Sequence, residues 1–174
     1  NEEENEKYER ILDDLSQNSY LNRSNSISIE MIPITFYLIQ DGNGYAPKDI
    51  GDLEQLIMDV NEEFGDLGIR FYEHSVNYID NSTYYNIDRN QSEQSKLMQD
   101  FNTDGSLNVY LVQSICDCDT DEWWGGFASY TGNYVFITYS SMYPPNNIFI
   151  HEVGHHMYLK HTHSGSDDDD DDHL

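Results

Sequence analysis

His151, Glu152, Val153, Gly154 and His155 form the stretch of this sequence whose residue types and spacing could do chemistry. Two histidines four positions apart fall on one face of a helix, a turn from each other at ~100° per residue, so both imidazoles can reach one zinc ion. The glutamate beside the first histidine is placed to hold an attacking water rather than the metal. It would take the proton of that water as a zinc-polarised carbonyl is attacked. His161, ten residues after His151, completes the pattern HExxHxxxxxH. Three neutral nitrogen ligands and one water make the open arrangement of a catalytic zinc.

Such a motif works only if a helix carries it and a scaffold holds the helix. Pro144, Pro145 and Asn146 are expected to open that helix, and Ile148, Phe149, Val153 and Met157 give it an apolar side to lay on a sheet. Gly154 is expected to allow close approach there. Upstream, IEMIPITFYLI from Ile29 is a β-branched and aromatic run closed by the turn formers at Asp41 to Gly44, and reads as a buried strand. Ile50, Leu53, Ile57, Val60 and Phe64 recur at helical spacing, and Gly65 and Gly68 stop them. Ile69 to His74 reads as a strand, followed by a polar stretch rich in Asn and Tyr, and Ser92 to Phe101 reads as a helix and Leu107 to Val112 as a third strand. Phe127 to Tyr130 and Tyr134 to Tyr139 are short strands joined by a turn at Thr131 to Asn133. The alternation β-α-β-α-β predicts a largely parallel sheet with crossover helices.

At 174 residues, one domain with its own core is the expectation. Residues 1–28 read as a polar leader with a short helix around Glu6 to Leu15, residues 29–163 as the folded unit, and 164–174 as a low-complexity acidic tail. The formal charge of −25 comes from 33 Asp and Glu against eight Lys and Arg, spread well beyond the six aspartates at 167–172. That field repels phosphate backbones and anionic lipid and suits cations and basic peptides, so nucleic-acid binding is not expected. No stretch approaches the ~18 apolar residues of a membrane span. The sequence does not begin with Met, which suits a secreted chain whose signal peptide has been removed. Cys116 and Cys118, one residue apart, are too close for ordinary disulfide geometry without strain, leaving outside partners, metal or free thiols.

The segment HEVGHHMYLKHTH looks like the active-site segment of the pappalysin-like metzincins, whose zinc motif runs HExGHxLGLxHTF. IPITFYLIQDGNG resembles that family's opening strand, LNVYLV its third, and GGFASY the edge strand before its active-site helix, so the resemblance spans about Ile32 to Thr162. It implies an α+β zincin fold: a twisted, mostly parallel mixed sheet with an antiparallel edge strand, two crossover helices and an active-site helix. It implies zinc ligands at His151, His155 and His161, a catalytic base at Glu152, and a peptide substrate paired along Gly126, Phe127, Ala128 and Ser129. Two departures stand out. Tyr158 occupies the family's glycine position, where a left-handed residue costs roughly 1 kcal/mol or more. No Met follows Met157, so the family's Met-turn half of the cleft is expected to lie outside these residues.

The leading expectation is a zinc-dependent endopeptidase. The alternative is a non-catalytic zinc- or peptide-binding protein on the same fold, and a third reading takes its third ligand from Asp167 to Asp172. Asp117, Asp119, Asp121 and Glu122 are candidate oxygen ligands for Ca²⁺. Trp123 and Trp124 read as packing or as a peptide-contacting lip. His74 and His156 are given no zinc role, and His163 and His173 could be adventitious ligands. Oligomeric state is not legible.

Overall fold

The computed structural model describes residues 29–47, 50–89, 92–129, 132–142 and 148–161. The leader, the acidic tail, His163, His173 and Pro144 to Asn146 lie outside them. The buried run from Ile29 becomes strand β1 (Glu30–Gln40), flanked in parallel by β2 (Ile69–Asp80) and β4 (Leu107–Val112). Strand β8 (Tyr134–Thr138) continues the parallel set beside β4, and β7 (Gly126–Ala128) adds to it antiparallel at the edge. The order β2-β1-β4-β8-β7 agrees with the mostly parallel sheet and antiparallel edge expected from the sequence.

Alternation along the central strands builds two cores. Ile34, Phe36 and Leu38 of β1, with Leu107, Val109, Leu111, Val135 and Ile137, face helices α1 (Ile50–Phe64) and α3 (Ile148–His156). Tyr37, Ile39, Tyr110, Val112 and Phe136 face the other way, toward α2 (Glu93–Asp100) and a second sheet. On that second face Tyr37, Tyr110, Phe136 and Phe127 stack in sequence across β1, β4, β8 and β7, with centroids 4.9, 4.7 and 4.8 Å apart. In α1 the buried side is Leu53, Leu56, Val60 and Phe64, with Ile57 only partly covered. Among the described residues, no helix is long and apolar enough to cross a membrane.

Three expectations need correction. Strand β2 does not stop at His74: the register with β1 slips between Ile34 and Thr35, leaving His74 as the extra residue of a bulge, after which the strand runs on to Asp80. No strand is expected in the polar stretch rich in Asn and Tyr or around Asp117 to Glu122, yet β3 (Asn86–Asp88), β5 (Ser114–Asp117) and β6 (Glu122–Trp124) form a sheet in the order β3-β5-β6. Cys116 and Cys118 are joined to each other, with Cα atoms 5.2 Å apart, inside the ordinary range. The β5–β6 hairpin bends the chain there enough to bring the two side chains together.

Candidate metal centre

Helix α3 owes its position to its apolar side. Phe149 and Val153 are buried against the sheet, each worth about 1.5–3 kcal/mol of burial, and Ile148, Ile150 and Met157 pack partly around them. With that side fixed, His151 points to solvent, His155 is buried at 5 % exposure, and Glu152 between them is fully buried.

The helix ends in a tight left-handed turn. The N–H of Tyr158 donates to the carbonyl of His155 at 2.8 Å, and that of Leu159 reaches back to the carbonyl of Gly154 at 3.0 Å. Those paired bonds need a left-handed residue between them, and Tyr158 supplies it with φ of 65°. The chain therefore makes a left-handed turn with an exposed tyrosine at its corner. Gly154 also departs from expectation. A Cβ there would meet Leu159 at 3.7 Å, an ordinary contact, so its open side faces the returning turn rather than the sheet.

The turn brings His161 back over the helix. Nε2 of His151, His155 and His161 form a triangle with sides of 2.8, 2.9 and 3.0 Å. Three nitrogens around a tetrahedral zinc at ~2.0–2.1 Å would lie roughly 3.3 Å apart, so the triangle is slightly contracted. Its chemistry fits a cation. Nδ1 of His155 lies 2.8 Å from the carbonyl oxygen of Leu159, a contact only an N–H can satisfy. In the neutral ring that leaves a lone pair on Nε2, aimed at the other two rings. A carbonyl behind a ligating histidine is the outer support that orients metal-binding imidazoles. The three rings form one of two groups of converging ligand atoms among the described residues, and Glu152 is not part of either.

The second group is Asp88 with the disulfide-bonded Cys116 and Cys118. The candidate calcium residues Asp117, Asp119, Asp121 and Glu122 are not among the converging groups. Asp117 Oδ1 instead accepts the N–H groups of Asp119 and Thr120, at 3.1 and 3.2 Å. The calcium expectation thus gains no support.

Gly126, Phe127, Ala128 and Ser129 lie on or just after β7, at the end of the sheet order beside α3. Gly126 is buried and the other three are half-buried. Trp124 is core, lying under the guanidinium of Arg89 at 3.9 Å, whereas Trp123 is exposed. His156, given no zinc role from sequence, ties α3 to the turn after β7. Burial lowers its pKa, partly offset by hydrogen bonding to the backbone at Gly132 and Ser129. A histidine directly after a ligand carries no distinguishing spacing, so sequence alone does not reveal that tie.

No protein-family model and no curated protein sequence matches the chain. Among solved structures it is similar to the crystal structure of archaemetzincin from Methanopyrus kandleri, at 12 % identity and a TM-score of 0.49, covering 79 % of this chain and 77 % of that one. A similarity of that degree assigns no residue roles, which come here from the geometry of α3 and its turn.

Proposed function

We propose that the chain is a secreted zinc-dependent endopeptidase of the metzincin kind, with the pappalysin-like form of the zinc motif. The observation that carries the reading is the triangle of Nε2 atoms from His151, His155 and His161, with the His155 tautomer set by Leu159. His151, His155 and His161 would hold the ion. When bound, zinc would polarise the scissile carbonyl and make water acidic enough to be deprotonated near neutral pH.

Glu152 is the group available to take that proton. It sits one residue after His151 and fully buried, so its carboxylate acts from a fixed position in a low-dielectric wall beside the metal ligands. The proton then goes to the amine that leaves when the C–N bond breaks. An extended peptide lying antiparallel along β7 would bring its carbonyl toward the same helix, by backbone pairing.

The test is Glu152→Ala. Zinc should stay bound while turnover of a peptide library falls by about 10²–10⁴-fold. Wild-type turnover in that variant, at equal zinc occupancy, would sink the mechanism.

A further inference from the structure

Strand β7 packs on the helix that carries the candidate metal ligands, and its first residue lies against Glu152. Gly126, buried and paired with Ile137 of β8, lies where α3 crosses the edge strand. A Cβ built there would stand 2.9 Å from the carbonyl oxygen of Phe136, 2.9 Å from Cγ2 of Ile148 and 3.2 Å from Cγ of Glu152. The first of these is backbone. The second belongs to the opening residue of α3, and the third is the methylene that carries the Glu152 carboxylate. None is the loose end of a long side chain that could swing aside. The carbonyl of Gly125 meanwhile accepts the N–H of Thr138 at 2.9 Å, which holds the strand in place on its other side.

We infer that Gly126 is a positioning residue for Glu152, a role separate from any pairing its backbone makes with substrate. Its missing side chain is the space in which the Glu152 stem lies. A methyl added there would force Phe136 or Ile148 to shift and would press the Glu152 stem by a few tenths of an ångström, which moves its carboxylate relative to His151, one residue before it, and His155, three residues after it. General bases lose rate steeply with such displacements, since proton transfer needs hydrogen-bond reach and alignment. The inference rests on the zinc-peptidase reading for its chemistry, and on the packing at Gly126 for its geometry.

The experiment is a cycle of four zinc-loaded full-length proteins: wild type, Gly126→Ala, Glu152→Ala and the double variant. Each is titrated with a peptide hydroxamate, whose hydroxyl proton is shared with a carboxylate beside the metal. Gly126→Ala should weaken hydroxamate binding about tenfold in the wild-type background and less than about twofold where Glu152 is already alanine. On a peptide substrate the single variant should lose kcat about tenfold with KM little changed, and a chelator competition should find zinc affinity within about threefold of wild type.

Equal losses in both backgrounds would overturn the inference, because the glycine would then act on the fold and not through Glu152. So would wild-type hydroxamate affinity in Gly126→Ala. If Gly126→Ala does not fold, the cycle is run with Ile148→Ala added to all four proteins, removing the Cγ2 contact; failure of that set to fold also overturns it. A wild-type protein with no turnover at full zinc occupancy would defeat the peptidase reading, while the hydroxamate cycle would still decide the placement of Glu152.

Discussion

Two short regions of this molecule each tie a tight turn back on itself, one through α3 and residues 157–161 and the other through the β5–β6 hairpin. Each contains a non-glycine residue in left-handed conformation, Tyr158 with φ of 65° and Asp121 with φ of 61°. The two positions are not equally strained. Asp adopts this conformation several-fold more often than most residues, whereas a bulky aromatic gains nothing there to offset its Cβ clash. At the hairpin a covalent bond joins Cys116 of β5 to Cys118, the first residue after that strand, across a separation of two residues. The helix and turn are closed by three imidazoles that converge across ten. A covalent tie is complete when the chain folds, whereas converging lone pairs of neutral imidazoles repel one another until a proton or a cation lies between them. The more strained of the two turns thus lies beside the three imidazoles that could hold a cation, and functional sites are where backbone strain is commonly stored.

Removing members of the triangle should produce the largest effect. His155→Ala and His161→Ala should each lower zinc affinity by at least roughly 100-fold, measured by chelator competition. Unchanged affinity in His161→Ala would break the comparison, by showing that a carboxylate beyond residue 161 supplies the third ligand. Replacing both cysteines by serine should be milder. A ring this small removes little denatured-state entropy, so a loss of ~1–2 kcal/mol in urea unfolding is expected, with zinc affinity and turnover intact. Loss of turnover there would mean that the two regions are coupled. The smallest effect is a gain. Tyr158→Gly should stabilise the protein by ~0.5–1 kcal/mol and Asp121→Gly by a few tenths at most, a difference that measures the unequal strain directly.

The same two regions differ in how far the sequence reveals them. The candidate metal centre is legible because its geometry is written in spacing: i and i+4 on a helix need no knowledge of the rest of the fold, and Ile148 to Met157 show the apolar side that orients it. The parallel sheet is legible for a related reason, since its central strands are buried on both faces and stand out as continuous apolar runs. The small sheet has no such signature. β3, β5 and β6 are three or four residues long and carry Asn86, Asp88, Asp117 and Glu122, residues that favour turns or disfavour strands. They form because Ile87, Ile115 and Trp124 can be buried against Tyr110 and Phe136, a tertiary fact that local propensity does not contain. The bulge at His74 and the Cys116–Cys118 bond were hidden likewise, both depending on how a neighbouring strand lies.

The aromatic stack from Tyr37 through Tyr110 and Phe136 to Phe127 gives the outermost strand an unusual standing. An edge of three residues would ordinarily fray, and a peptide adding to it would have to order both partners at once. Here the ring of Phe127 is clamped to the middle of the sheet, so the ordering of β7 is completed during folding. A peptide docking along it would then lose only its own conformational freedom, and the selectivity of the edge would be that of a rigid template.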